Sequence, residues 1–212
     1  MLEGTPKDTR RKSKSDMSGK INFVTSNRSK FLALQKHVAP YGFTVVQVEL
    51  PLIEPQYSSV EEVSYSKALQ AFERIQESVV VEDSGFSIDE LSGFPGPYTK
   101  YVLETIGVAG LLRLAEPLQS RTCRFISVLT YINTQEKAVT FSDRNGTGTL
   151  ALAVDETDCE EMWSDLWRIF IPDGVTSPMT AISESERASL LKQWTANSVY
   201  TQFARWLYDQ PL

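Results

Sequence analysis

Residues 79–83 read Val-Val-Val-Glu-Asp, three β-branched side chains of the kind that fill a buried strand, running straight into two adjacent carboxylates. Burying an unpaired carboxylate is costly, and a second negative charge in contact raises the cost. The conflict disappears if the strand ends at this pair, at the edge of a cleft that takes a cation. Upstream, residues 20–26 are expected to form a short strand. A helix follows at 29–38, with Phe31, Leu34 and Val38 at helical spacing, then a second strand at 43–50. Ser58 and Ser59 offer N-caps for a helix over 60–76, whose apolar face carries Val63, Leu69, Phe72 and Ile75. Strand, helix, strand, helix, strand is the order of an α/β core.

Beyond residue 90 the texture changes. Leu91–Tyr98 is turn-rich (Gly93, Pro95, Gly96, Pro97), and a helical stretch follows to about residue 115. Residues 121–133, 137–143 and 147–154 are three β-rich runs in series, the pattern of an antiparallel sheet and of a second lobe. A loop at 171–178 leads into one C-terminal helix, expected from about Ser185 to Tyr208. At the other end, residues 1–18 hold Lys7, Arg10, Arg11, Lys12 and Lys14 with almost nothing apolar. They read as a disordered basic tail ahead of a folded domain at 19–212.

Composition narrows the chemistry. With 212 residues, 42% of them hydrophobic, and a net charge of −6, the chain suits one globular domain or two lobes sharing a core. It has no apolar run of the roughly 20 residues a membrane span needs. The acidic balance argues against nucleic acid as a partner, the basic tail apart. Two cysteines and the absence of an apolar signal core place the chain in a reducing, cytoplasmic setting. The single histidine, His37, lies on an amphipathic helical stretch and reads as a helix-surface residue, so histidine-based triads and metal sites drop out. Carboxylates, lysines and a hard divalent cation remain.

Four places could carry that chemistry. Thr25-Ser26-Asn27 with Lys30 sits between the first strand and the first helix, where backbone amides and the side chains suit an anion, or simply cap the helix. Glu54 lies in a loop between Pro51 and Pro55, and Lys67 on the next helix. Glu82-Asp83, followed by Ser84, closes the buried strand. Neighbours on a strand point to opposite faces, so both could serve one ion only if the strand ends there. The turn Gly93-Phe94-Pro95-Gly96-Pro97-Tyr98, with Lys100, could wall a pocket.

In this order, these motifs resemble the inosine triphosphate pyrophosphatase, or Ham1-like, family. The resemblance runs from about residue 20 to 105, weakens through the β-rich middle, and returns at Phe170 and Pro172-Asp173-Gly174. It implies an elongated two-lobed α/β fold with a mixed central sheet, a nucleotide cleft between the lobes, and a homodimer. It also implies Mg2+-dependent hydrolysis of a nucleoside triphosphate to the monophosphate and pyrophosphate. Carried over, Thr25, Asn27, Lys30, Lys67 and Ser84 would hold the substrate, with Lys30 and Lys67 on the phosphates. Glu54, Glu82 and Asp83 would hold the metal, with Asp83 as the water-activating base.

Two signatures of that family are missing, and both concern the base. Where members carry an aromatic-Asp-Pro segment before the Pro-Asp-Gly turn, this chain has Trp167 and Arg168, keeping only Phe170. Where members carry Ser-His-Arg, it has Ser198-Val199-Tyr200. Losing the His and Arg donors should weaken preference for a 6-oxo purine. Three readings follow: a pocket rebuilt around Trp163, Trp167, Arg168, Phe170 and Tyr200; a broad, slower pyrophosphatase; or a catalytically impaired nucleotide-binding or interaction protein on the same scaffold. The i,i+4 spacing of Trp163 and Trp167 is equally compatible with core packing.

Overall fold

The computed structural model describes residues 19–210. The basic segment 1–18 lies outside the described residues, as do the last two. Eight strands form one mixed sheet: β1 (Gly19–Val24), β2 (Phe43–Val48), β3 (Val79–Ile88), β4 (Pro95–Gly96), β5 (Thr122–Ile132), β6 (Ala138–Asp143), β7 (Thr147–Leu150) and β8 (Phe170–Pro172). Six helices flank it: α1 (Arg28–Val38), α2 (Val60–Ile75), α3 (Thr99–Thr105), α4 (Gly107–Ala115), α5 (Glu184–Thr195) and α6 (Val199–Asp209).

The spine is the antiparallel pair β3–β5, in register over the whole of β3 from Val79↔Ile132 to Ile88↔Cys123. Each end of this pair gathers different neighbours. At the Val79 end, β1 runs parallel to both β2 and β3, and β6 pairs with the end of β5. At the Ile88 end, β4 pairs with β3, β7 with the start of β5, and β8 with β7. Two lobes follow, each with its own apolar filling. In one, Phe23, Leu34, Val80, Leu129 and Phe203 pack under α1 and α6, while Ala68, Ala71, Phe72, Val79 and Val81 pack under α2. In the other, Phe86, Ile88, Leu111, Cys123, Trp167 and Phe170 are sealed together.

Between the lobes β3 has a bare edge. Its pairing with β1 stops at Val80, and β4 joins that same edge only at Phe86. Residues 81–85 therefore have β5 on one side and no strand on the other. The sheet order β2–β1–β3 makes this a topological switch point: α1 carries the chain from β1 outward to β2, and α2 carries it back to β3 on the far side of β1. In open α/β sheets ligands settle at such a point, outside the carboxyl ends of the strands.

The expected strand end at Glu82-Asp83 is not found. β3 continues to Ile88 because Gly85 lets β4 close over it and Phe86 and Ile88 resume the apolar alternation. Two expected helices are broken in two. The stretch before residue 115 divides into α3 and α4 at Gly107, whose φ of 63° leaves the helical region. The C-terminal helix divides into α5 and α6, because Ser198 starts a new helix by accepting from the Thr201 amide, while Asn145 Nδ2 bonds the Asn197 carbonyl at 3.1 Å. The third β-rich run pairs only over Thr147–Leu150. The caps of α2 are as expected, with Ser59 and Glu62 forming a reciprocal capping box.

Gly85 is the tightest point of the spine: a Cβ there would stand 2.5 Å from the Gly96 carbonyl oxygen and 2.9 Å from Val60 Cγ2. Gly85→Ala is expected to lower the unfolding free energy by about 1–3 kcal/mol, the usual cost of overpacking. Urea denaturation checks this, and an unchanged midpoint would mean that the two lobes are not held together here.

Candidate active site

The adjacent carboxylates of β3 lie in the middle of the strand and leave it on opposite faces. Glu82 points to the α1 side, where its Oε2 meets Lys30 Nζ at 2.6 Å. Asp83 points to the α2 side, where its Oδ1 meets Lys67 Nζ at 2.6 Å. Both carboxylates are buried, so each ammonium compensates a charge that would otherwise be expensive to hold there. The lysines come from the two crossover helices, one on each face of the sheet, so the topology that makes the switch point also supplies the countercharges.

On the α1 face, Lys30 Nζ also donates to Ser84 Oγ at 3.1 Å, two residues along the strand from Glu82. Burial pulls the Lys30 ammonium down, but the charge and hydrogen bond of Glu82, with Asp83 and Glu54 behind it, outweigh this and leave its pKa raised. The Tyr200 hydroxyl reaches Glu82 Oε2 at 3.4 Å, and burial followed by the Glu82 charge holds that phenol well above its ordinary range. Asn27 caps α1 by accepting from the Lys30 amide at 3.1 Å, and Thr25 Oγ1 accepts from the Asn27 amide at 3.1 Å. These two side chains shape the turn that delivers Lys30. His37, expected on the helix surface, is part-buried: its Nδ1 meets the Ala33 carbonyl of its own helix at 2.6 Å and its ring lies 5.9 Å from that of Tyr200.

On the α2 face, Glu54 Oε1 stands 3.9 Å from Lys67 Nζ, so Glu54 and Asp83 converge on one lysine. Asp83 Oδ2 is buried and has no hydrogen-bond partner. Glu82 does not join this group. Among the described residues no cluster of three or more His, Cys, Asp or Glu side chains is placed to hold a metal ion, so the expected set of Glu54, Glu82 and Asp83 is not assembled. The reason is the strand alternation that a continuous β3 imposes.

A cleft of about 1180 Å³ opens from the Lys30 face toward the second lobe, lined by Asn27, Lys30, Glu82, Ser84, Tyr200, Phe125, Ser127, Lys100 and residues 160–166. Its far wall is Trp163, 59% exposed, seated edge-on against Phe125 and Trp167 at centroid distances of 5.1 and 5.6 Å. Trp167 and Phe170, expected in the pocket, are fully buried in the core of the second lobe. Arg168 is turned to its own loop, with Nη1 donating to the Asp155 and Thr157 carbonyls at 2.9 and 3.4 Å. The pair of tryptophans thus divides its work, Trp167 supporting and Trp163 facing the cleft. Phe125 and Ser127 were not anticipated, although the two-residue alternation along β5 puts them on one face. The Tyr200–Glu82 contact joins residues 118 positions apart, and no local pattern announces it.

The Ham1 family profile matches residues 21–196, spanning both lobes and the cleft. The chain is 35% identical over 187 residues to a dITP/XTP pyrophosphatase of Methanopyrus kandleri, covering 88% of this chain and 95% of that protein. It is 37% identical over 126 residues to inosine triphosphate pyrophosphatase 2 of Trypanosoma cruzi, covering 59% of this chain and 63% of that protein. The solved structure of the Ham1 protein of Staphylococcus aureus superposes with a TM-score of 0.70 at 17% identity, covering 89% of this chain and 98% of that one. A nucleoside-triphosphatase/dITP/XTP pyrophosphatase from Mycobacterium abscessus also reaches 0.70, at 19% identity, over 82% of this chain and 94% of that one. With a mixed sheet of this order, a switch-point slot between two lobes, and a sequence match across most of its length, the chain belongs to the Ham1 family.

Proposed function

We propose that this protein hydrolyses a nucleoside triphosphate to the monophosphate and pyrophosphate with the help of Mg2+, and that its base preference departs from that of its dITP/XTP-cleaving relatives. The observation that carries the reading is Asp83: a buried carboxylate with one oxygen held by Lys67 and the other without a partner, at the bare edge of a switch-point strand.

The triphosphate lies along that edge, with Lys30 on one face and Lys67 on the other, and with Ser84 and the Thr25–Asn27 turn beside it. The base extends into the cleft against Trp163. Through Oδ1, the oxygen that Lys67 gives up when it turns to the phosphates, Asp83 accepts a proton from the water that attacks the α-phosphorus. The new P–O bond forms as the α–β bridging bond breaks, and Lys30 and Lys67 balance the charge on the departing pyrophosphate. The donor set on the α2 face fits a hard dication: Glu54 and Asp83 are two carboxylates with one orphaned oxygen, and Mg2+ is commonly held by one or two carboxylates plus substrate phosphates. Bound there, the ion supplies charge neutralisation for the phosphates. Glu82 serves on the other face, fixing Lys30. A homodimer and a cytoplasmic setting accompany this reading. Among the described residues no helix is long and apolar enough to cross a membrane.

Pyrophosphate release across a nucleotide panel is the test. Asp83→Asn is expected to lower kcat by about 10²–10⁴-fold, the range of a lost general base. Wild-type release no greater than the variant's would instead favour a protein that binds nucleotide without turning it over.

The two tryptophans separate by assay. Trp163→Ala is expected to raise KM by about tenfold or more, from lost base stacking worth about 1–3 kcal/mol, with little change in the denaturation midpoint. Trp167→Ala is expected to cost about 3–5 kcal/mol of stability as a core truncation. The reverse pattern would put the base elsewhere.

A further inference from the structure

The start of α6 is gripped from the end of β6. Asp143, the last residue of that strand, accepts the Val199 amide on Oδ2 at 2.9 Å. That amide is the first of α6, one of the donors a helix cannot satisfy within itself. The neighbouring Ser142 carbonyl accepts from Gln202 Nε2 at 3.2 Å, and Asn145 Nδ2 donates to the Trp194 and Asn197 carbonyls at 3.4 and 3.1 Å. Residues 142–145 thus clasp the α5–α6 junction at several points. Tyr200, inside the clasped turn, reaches from it into the cleft. Its hydroxyl donates to Glu82 Oε2 at 3.4 Å, the same oxygen that meets Lys30 Nζ at 2.6 Å, and its ring rests 5.9 Å from that of His37 on α1. Register places the clasp on the Glu82 face. Asp143 stands opposite Ser127 on β5, and Ser127 opposite Ser84 on β3, two residues along from Glu82.

The consequence runs through one carboxylate. When Lys30 turns to a phosphate it leaves Glu82, which is buried, and a buried carboxylate without a partner is expensive. The Tyr200 hydroxyl stays on that oxygen, so phosphate binding draws on α6 standing where it does. We infer that Asp143 is a positioning residue: by fixing the first turn of α6 it sets Tyr200 against Glu82 and so lets Lys30 serve the triphosphate. The inference rests on Lys30 meeting the substrate phosphates, as in the pyrophosphatase reading. Asp143 does this as an acceptor, not as a charge. Burial holds its carboxyl above the ordinary range, the Val199 and Asn145 amides pull it back, and the Glu82 charge pushes it up again. Its charge therefore opposes that of Glu82, and a neutral acceptor in the same place suffices.

A double-mutant cycle on the full chain tests it. Turnover is measured on the best substrate of the nucleotide panel, and affinity on the α,β-methylene analogues of ITP, GTP and ATP, both in the presence of Mg2+. Tyr200→Phe and Asp143→Ala are each expected to raise KM and weaken analogue binding by about tenfold, the scale of a hydrogen bond to a charged group. kcat is expected to change little, because Glu82 loses Lys30 already when the phosphates bind. In the double variant the loss is expected to match that of Tyr200→Phe alone. Asp143→Asn, whose side-chain carbonyl still accepts the Val199 amide, is expected to keep KM near the wild-type value. Urea denaturation shows which variants fold; if Asp143→Ala does not, Asn145→Ala loosens the same junction and takes its place in the cycle with the same expectation. Losses that add in the double variant, or an Asp143→Asn as impaired as Asp143→Ala, would make Asp143 merely structural. Either result overturns the inference and, with wild-type turnover present, leaves the pyrophosphatase reading in place. Coupled losses in analogue affinity with no turnover of any panel nucleotide would do the opposite. A wild type that binds none of the three analogues and turns over no nucleotide would overturn both.

Discussion

Two carboxylates side by side in the middle of a buried strand are tolerable only because the strand sends them to opposite faces, where each meets its own ammonium. Removing one partner of a buried pair typically costs about 3–5 kcal/mol, since the survivor keeps its charge without compensation. Lys30 can reach Glu82 only if α1 crosses one face of the sheet, and Lys67 can reach Asp83 only if α2 crosses the other. The sheet order β2–β1–β3 follows from the same two crossovers. Charge pairing and topology therefore demand each other. A fold with both helices on one face would leave one of the two carboxylates stranded.

The bare edge of β3 is the second consequence. A strand shared by two lobes has to pass from one set of neighbours to another, and across residues 81–85 it has none on that side. Backbone groups there have no strand partner on that side. An edge, unlike a face, can be approached by side chains from above and below at once. Glu82 with Lys30 and Asp83 with Lys67 can thus act on one substrate although the sheet separates them. The rigidity comes from β5, paired with every residue of β3, and from Gly85, whose missing side chain lets β4 dock directly on the strand.

Much of this was legible in the sequence, because its elements are local. The first three strands and two helices, the α2 capping box and the order of the acidic and basic motifs follow from spacing and composition. The expectation failed where a local signal had two solutions. Glu82-Asp83 after three valines can mean a strand that stops or a strand with two lysines waiting. Only the positions of α1 and α2 decide between them. The same limit misplaced Trp167 and Phe170. An aromatic near a turn reads as a pocket wall until the core that swallows it is built, and here Phe86, Phe125 and Phe170 meet edge to face, with Trp163 and Trp167 joined to the cluster. Tyr200 was expected in the pocket and does line the cleft, but its contact with Glu82 depends on α6 folding back across the sheet and no local pattern shows it.

The same ion pairs constrain how a triphosphate could enter. Around the slot stand two ammonium groups, Lys30 and Lys67, and three carboxylates, Glu54, Glu82 and Asp83. The arrangement is complete without a ligand and carries one negative charge in excess, so a polyanion arriving alone would meet repulsion. Phosphate oxygens can take Lys67 only if Asp83 finds another cation, and the orphaned Oδ2 of Asp83, whose carboxylate shares Lys67 with Glu54, is where a dication has most to gain. Lys30 differs, since Glu82 is held by Tyr200 as well and can remain in place while Lys30 turns toward the edge. The two lysines are thus released by different means. On the Asp83 side, phosphate binding and cation binding become a single event, because neither leaves the other's partner uncompensated.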